Sequence, residues 1–218
     1  MKKSYLIIFV AVLSAFASCK KDDETEKISD SYYPVSKGTE RTYKQSSGGS
    51  SSIYIETFTG NTVTYNQETY YEAVTTTPNS NEIAKAYYFE GNGVYKLRAT
   101  TYVNGIDVQF TYLNERSDVG STWTSNITAS GQINGVPARM VGEIKEKNIS
   151  KQVLGKTYDD VIHSTVQLQY NTGNGFETAS TYEFYTARGI GVIEVDTKID
   201  YFGLKLDSKT ELQNYTIK

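Results

Sequence analysis

Residues 94–113 read VYKLRATTYVNGIDVQFTYL, and this stretch decides the fold class. At its centre is an Asn-Gly pair, positions 104–105, which favours the two-residue turn of a β-hairpin because both residues tolerate positive φ angles. After the turn, Val108, Phe110 and Tyr112 alternate with polar residues, which is the period of a strand with one buried face. The stretch therefore predicts two antiparallel strands joined by a tight turn.

Comparable pairs of alternating segments continue along most of the chain. Turns rich in Gly, Asn or Ser are expected at 46–52, 134–135 and 171–175, between segments rich in Tyr, Thr, Val and Ile. No segment after Tyr32 has the 3.6-residue period of an amphipathic helix. We therefore predict an all-β domain over residues 32–218, made of antiparallel sheets. A β-sandwich is the first choice of architecture, and a clam-like open barrel is the alternative.

The domain is also predicted to consist of two related halves, at about 34–113 and 118–218. The matching segments are 61–74 with 148–162 and 87–94 with 182–192. Their order is the same in both halves, which favours an internal duplication. Chance similarity between Tyr- and Thr-rich strands is the competing explanation.

Residues 1–18 have the features of a bacterial signal peptide. Two lysines precede an apolar run of 12 residues, which is shorter than the roughly 20 that a membrane-spanning helix needs. The tetrapeptide FASC at 16–19 ends in Cys19, the only cysteine, and resembles a bacterial lipobox. This resemblance implies that the signal helix is removed after Ser18 and that Cys19 carries palmitate-type acyl chains in the lipid bilayer. An ordinary secreted protein and an uncleaved anchor are the alternatives.

A charged tether is expected between the anchor and the domain, over residues 19–31. Residues 20–27, KKDDETEK, contain no apolar side chain and so cannot build a core of their own. Lysine followed by acidic residues after the cysteine resembles the surface-export signal of Bacteroidota lipoproteins. The resemblance implies attachment to the outer membrane with the domain facing outward, and the periplasmic face is the alternative.

Four motifs are spread over the domain. They are Tyr33-Pro34 with Gly38, VGSTW at 119–123, GKTYDDVI at 155–162, and an aromatic strand that ends in GIGV at 189–192. Together they resemble a broad set of uncharacterised Bacteroidota envelope lipoproteins. The resemblance implies an envelope β-domain and no particular activity.

Composition and patterning argue against several kinds of chemistry. With 22 Lys and Arg against 25 Asp and Glu, the net charge of −3 leaves no basic excess for nucleic acid. One cysteine and one histidine cannot form a Cys-based zinc site or a multi-His site, and no cofactor is expected.

His163 falls on the polar face of its strand and is expected to point to solvent. Glu194 and Asp196 are interpreted as part of a solvated outer face that Lys198 compensates. An enzyme is therefore not expected, and a carboxylate-dependent glycoside hydrolase is the less favoured alternative.

The 19 tyrosines are the remaining signal for function. Adjacent aromatic pairs place rings on both faces of a strand, and amphipathic rings of this kind suit binding surfaces. The candidate contact residues are Tyr33, Tyr71, Tyr88 and Phe202. We predict a non-catalytic binding or accessory module of the envelope, with a glycan, a small apolar ligand or an envelope protein as possible partners. A structural subunit of an envelope assembly is the alternative. A concave Tyr-lined cavity would favour ligand binding, whereas a flat aromatic patch beside an exposed strand edge would favour assembly.

Overall fold

The computed structural model describes residues 29–78, 80, 83–100, 107–201 and 203–218. The proposed lipobox with Ser18 and Cys19, the Asn-Gly turn at 104–105, and Phe202 lie outside the described residues. None of the described residues belongs to a helix long and apolar enough to cross a membrane.

Thirteen β-strands account for most of the described chain. The first six are β1 (Glu40–Ser47), β2 (Ser50–Tyr65), β3 (Glu68–Thr76), β4 (Ile83–Gly91), β5 (Val94–Thr100) and β6 (Asp107–Asn114). The others are β7 (Thr122–Asn126), β8 (Gln132–Ile133), β9 (Val136–Val153), β10 (Lys156–Asn171), β11 (Phe176–Ala187), β12 (Gly191–Tyr201) and β13 (Leu204–Thr216). The prediction of an all-β fold is confirmed.

The strands form one continuous antiparallel sheet. Its order is β6-β5-β4-β3-β2-β1-β13-β12-β11-β10-β9-β7, and the short β8 pairs with β9. Apart from β8, strands that are consecutive in the chain lie side by side in the sheet, and β1 also pairs with β13. The exceptions are β6 and β7, which do not share a strand ladder and form the two edges. The sheet curls into a nearly closed barrel, so the clam-like open barrel describes the architecture better than a sandwich of two separate sheets.

The two edges of the sheet meet at a seam. The backbone N–H of Gln109 donates to the Ile127 carbonyl at 2.8 Å, and the Trp123 indole donates to the Thr111 carbonyl at 3.1 Å. On the inner side, the Ser164 hydroxyl donates to the carbonyl of Tyr112 at 2.7 Å. One backbone bond and two side-chain bonds therefore satisfy groups at the seam that a regular strand pairing would otherwise satisfy.

The predicted hairpin turns within the described residues are confirmed. Gly48 and Gly49 connect β1 to β2, and residues 172–175 connect β10 to β11. Asn134 and Gly135 connect β8 to β9 with φ angles of 51° and 82°, which is why an Asn-Gly pair suits this turn.

Each predicted half supplies one six-stranded meander: β1–β6 in the first, and β7 with β9–β13 in the second. The aligned segments fall on corresponding strands, β2–β5 and β9–β12. Residue by residue, however, the alignment is out of phase. It matches Tyr88, which faces the interior, with Glu183, which contacts His163 on the outer face. Duplication remains a prediction.

One end of the barrel is closed by the chain that precedes β1. Tyr32 and Tyr33 lie buried there in the main hydrophobic cluster. The Gly189 amide donates to the Ser31 carbonyl at 2.7 Å, and Arg188 donates to the Asp30 carbonyl at 2.9 Å. We call this the closed end. The β1–β2 and β10–β11 turns lie at the other end, which we call the open end.

Candidate functional site: a tyrosine-lined cavity

The interior of the barrel contains a cavity of about 250 Å³. Tyrosine is its most frequent lining residue; the five are Tyr33, Tyr43, Tyr54, Tyr88 and Tyr112. Phe184, aliphatic side chains and two threonines complete most of the wall, and Glu56 is the one carboxylate among the described lining residues. We refer to this space as the tyrosine cavity.

Strand alternation explains how the cavity is arranged along the barrel axis. On β1, Arg41, Tyr43 and Gln45 face the interior, opposite Glu56, Tyr54 and Ser52 of β2. Arg41 and Glu56, which lie nearest the closed end, are buried, whereas Gln45 and Ser52 at the open end are exposed. The cavity therefore has a buried floor near the closed end, and the inward-facing residues of β1 and β2 become exposed toward the open end.

An ion pair forms the floor. Arg41 Nη1 lies 3.3 Å from Glu56 Oε1, and the two side chains are 0% and 5% exposed. Arg41 also donates from Nε to the Ile190 carbonyl at 2.7 Å and from Nη2 to the Pro34 carbonyl at 2.8 Å. One guanidinium thus connects β1 and β2 with the chain before β1 and the β11–β12 turn.

Two tyrosine hydroxyls complete the coordination of Glu56. Tyr33 donates to Oε1 at 2.7 Å and Tyr88 donates to Oε2 at 2.5 Å. Each of these groups around the Glu56 side-chain oxygens is a donor, which is the arrangement that an ionised carboxylate requires. The rings of Tyr33 and Tyr88 stack with centroids 4.6 Å apart, and the Arg41 guanidinium lies 4.2 Å from the Tyr33 centroid.

A glycine makes room for the arginine. Gly191 has a φ of 117°, and a Cβ at this position would lie 2.7 Å from Arg41 Nε. The next residue, Val192, accepts a hydrogen bond from the Tyr43 hydroxyl at 2.9 Å. The GIGV motif at 189–192 thus accepts hydrogen bonds from two side chains of β1, Arg41 and Tyr43.

The tyrosines at the floor remain protonated at physiological pH. Burial, followed by the nearby charge of Glu56, raises the pKa of Tyr33, Tyr43 and Tyr88 well above the ordinary value of 10.0. Burial also raises the pKa of Tyr112, against the opposing effect of Arg41. Since Arg41 and Glu56 offset each other, the floor has no net charge.

Tyr112 differs from the other floor tyrosines. It is 2% exposed and lines the cavity, but its hydroxyl has no hydrogen-bond partner among the described residues. Buried hydroxyls are normally paired, because the loss of hydration is otherwise uncompensated. The Tyr112 hydroxyl is therefore a buried polar group with unused hydrogen-bonding capacity in a residue of the cavity wall.

The predicted contact residues do not all lie at this cavity. Tyr33 and Tyr88 line it. Tyr71 pairs with Tyr88 across β3 and β4 and packs on the hydrophobic cluster, but it is not part of the lining. The role of all three in binding stays a prediction.

The sequence predicts that His163 points to solvent, and the structure differs from this prediction. His163 lies on the outer face as expected, yet its side chain is only 13% exposed. Its ring nitrogens contact Glu146 at 3.1 Å and Glu183 at 2.7 Å, and the ring stacks on Tyr185 with centroids 4.3 Å apart. The expectation failed because neighbouring strands place two carboxylates and a ring around the imidazole.

The interpretation of Glu194 as a solvated residue was also wrong. Its side chain is 3% exposed, and Oε1 lies 2.8 Å from Lys151 and 3.2 Å from Lys209. Lys209 also contacts Asp196 at 3.1 Å, so the compensating lysines come from β9 and β13 and not from Lys198. The long β9–β10 hairpin brings Lys151 to this face, and strand alternation alone does not reveal that.

No protein-family model and no curated protein matches the chain. A crystal structure of a candidate lipoprotein from Parabacteroides distasonis ATCC 8503 is similar, with a TM-score of 0.53 at 14% identity over 86% of this chain and 99% of that chain. A candidate exported protein with a YmcC-like fold from Bacteroides fragilis NCTC 9343 has a TM-score of 0.47 at 9% identity, over 84% of this chain and 98% of that chain. The first likeness shows a shared fold. Fold and site together define an all-β protein whose curled antiparallel sheet encloses an aromatic cavity.

Proposed function

We propose that this chain is a lipid-anchored protein of the bacterial cell envelope that binds a small molecule in the tyrosine cavity without chemically changing it. The observation that carries the proposal is the unpartnered, buried hydroxyl of Tyr112 in the described wall of a concave interior space. Mostly apolar pockets with a few well-placed polar groups are typical of small-molecule sites.

The floor of the cavity supports binding over hydrolysis. A carboxylate-dependent glycoside hydrolase needs two carboxyl groups on either side of the substrate. Glu56 is the one carboxylate of the described lining, and it is committed to Arg41 and to two tyrosine hydroxyls. Because both oxygens of Glu56 already accept hydrogen bonds from tyrosines, this carboxylate orients the surrounding rings and is not placed to transfer a proton to a ligand.

The seam between β6 and β7 argues against a role as an assembly subunit that pairs through this edge. An exposed edge strand offers unpaired backbone groups to another chain. Here the contacts from Trp123 and from Gln109 to Ile127 occupy part of both edges. The concave cavity is therefore the better candidate for the binding surface.

The location of the protein rests on the lipobox resemblance, with Cys19 as the anchored residue. The similar structure from Parabacteroides distasonis is itself described as a candidate lipoprotein, which supports this part of the proposal. Because the described chain begins at the closed end, the open end of the cavity lies at the end of the domain opposite the start of the described chain. A ligand would then enter from the side opposite the membrane, which we propose to be the outer membrane with the domain facing outward.

Two experiments test the proposal. Cys19→Ala should release the protein from membranes that are washed with carbonate, and full retention would contradict the anchor.

For the binding function, native mass spectrometry of the protein from envelope extracts should show an additional small mass. Val195→Phe, which adds volume to the cavity wall, should lose this mass, whereas Val119→Phe at an exposed loop position should retain it. An additional mass that persists in Val195→Phe would place the ligand elsewhere.

A further inference from the structure

We infer that the tyrosine cavity selects an uncharged, largely apolar molecule with one hydrogen-bonding group, which pairs with the hydroxyl of Tyr112. This inference rests on the proposed binding function and specifies the ligand class. Three properties of the cavity carry it: its charge, its free hydrogen-bonding capacity and its size.

The charge of the floor is already balanced. Arg41 and Glu56 are the ionised pair, and each is held by further protein groups: two carbonyls accept from Arg41, and two tyrosine hydroxyls donate to Glu56. The other lining residues are tyrosines, threonines, Phe184 and aliphatic side chains. A charged ligand would give up its hydration without gaining a counter-charge, and the cost of burying an unpaired charge is large. The cavity therefore disfavours anions and cations alike.

The hydrogen-bonding capacity of the floor is mostly used. The hydroxyls of Tyr33 and Tyr88 donate to Glu56, and that of Tyr43 donates to the Val192 carbonyl. The hydroxyl of Tyr112 makes no such bond with the described residues. A phenol both donates and accepts, so a ligand carbonyl, hydroxyl or amide that reaches the Tyr112 hydroxyl would satisfy it. The rest of the ligand contacts apolar side chains, including Leu97 and Val195.

The size of the cavity limits the ligand to a small molecule. A volume of about 250 Å³ equals roughly eight water molecules at their share of liquid volume, about 30 Å³ each. One aromatic ring with one polar substituent matches this size. The stacked and tilted rings around the site suit a flat partner, since aromatic groups prefer offset or edge-to-face contacts.

The test compares three probes of similar shape: benzamide, benzoate and toluene. Benzamide is neutral and polar, benzoate has the same shape with a negative charge, and toluene has no hydrogen-bonding group. Isothermal titration calorimetry at pH 7 uses the full chain with Cys19→Ala, so that no acyl chain competes for the cavity. We expect benzamide to bind in the millimolar range or tighter, and benzoate to bind at least about tenfold more weakly.

Tyr112→Phe tests the contact itself. It should weaken benzamide binding by about 2- to 12-fold, the equivalent of one net hydrogen bond, and leave toluene binding unchanged. An unchanged melting temperature verifies that this variant folds. Val195→Phe should abolish binding of both probes, and Val119→Phe serves as the matched control.

The possible failures are distinguishable. If benzoate binds as tightly as benzamide, or if Tyr112→Phe leaves benzamide binding unchanged, the ligand class is wrong while the binding function stands. If none of the three probes binds, or if Val195→Phe binds benzamide like the parent chain, both the ligand class and the cavity as binding site are refuted.

Discussion

Glu56→Gln is the substitution that most directly perturbs the floor of the cavity. The change preserves the shape of the side chain but removes its negative charge. Arg41 then remains fully buried with its charge and loses its anionic partner. The amide nitrogen that replaces Oε2 is a donor only, so it cannot accept the hydrogen bond that Tyr88 now donates to Oε2.

The expected loss of stability follows from the burial of the pair. Removing one partner of a buried ion pair typically costs about 3–5 kcal/mol, because the other charge is left uncompensated. Natural domains are stable by only about 5–15 kcal/mol, so this is a large fraction of the total. Because Tyr33 can still donate to the amide oxygen of the new side chain, we expect a value near the lower limit, about 3 kcal/mol.

Urea unfolding followed by tyrosine and tryptophan fluorescence measures this loss. With a slope of about 2–3 kcal/mol per molar urea, the midpoint of Glu56→Gln should fall by roughly 1–1.5 M. Asp200→Asn is the matched control, because it breaks an exposed pair with Lys205 and should shift the midpoint by less than about 0.3 M. The double variant Arg41→Met, Glu56→Gln should lose less than the sum of the single variants. If Glu56→Gln unfolds within about 0.3 M of the parent protein, the floor is not an energetically coupled ion pair.

Two other predictions concern hydroxyl groups and pH. Tyr33→Phe deletes a bond to Glu56 and should cost about 1.5–3 kcal/mol, whereas Tyr112→Phe deletes no bond among the described residues and should leave the melting temperature unchanged or higher; equal losses in calorimetry would contradict this difference. Burial alone would lower the pKa of His163, but the contacts with Glu183 and Glu146 raise it above the ordinary 6.5. The attraction between protonated His163 and the two glutamates stabilises the fold. This stabilisation is fully present below about pH 6.5 and is lost as the pH rises through the folded-state pKa. His163→Gln should therefore show a flatter decline of the urea midpoint between about pH 6 and 9, and a decline as steep as that of the parent protein would disprove the assignment.

Local sequence signals predict the strands of this fold well. The Asn134-Gly135 turn needs only the backbone preferences of its own two residues, and the alternation around Phe110 needs only its neighbours. The pairing of β1 with β13 is different, since it joins strands at opposite ends of the domain, such as Glu40 with Thr216. No local period encodes such a pairing, and the choice between a sandwich and an open barrel depends on it.

The floor of the cavity was missed for a related reason. Glu56 lies between Tyr54 and Phe58 on the inner face of β2, and Arg41 precedes Tyr43 on the inner face of β1. A charged residue in phase with buried aromatics is a signal of a buried ion pair, and this alternation is visible in the sequence. Glu194 and Asp196, by contrast, follow the alternation that is typical of an exposed face. Only the pairing of β1 with β2 shows that the two charges are opposite each other.

The ion pair also explains why the interior is not simply filled. An apolar pair of similar volume would often be as stable as a buried arginine and glutamate, because the charges lose their hydration. An apolar pair makes no directional hydrogen bonds. Glu56 accepts one from each of two stacked tyrosines through different oxygens. Arg41 donates to the chain before β1 and to the β11–β12 turn, and so holds them together. The same contacts that close one end of the barrel thus orient the rings that line the cavity. On this account, stability and binding are coupled, and a substitution at the floor should weaken both.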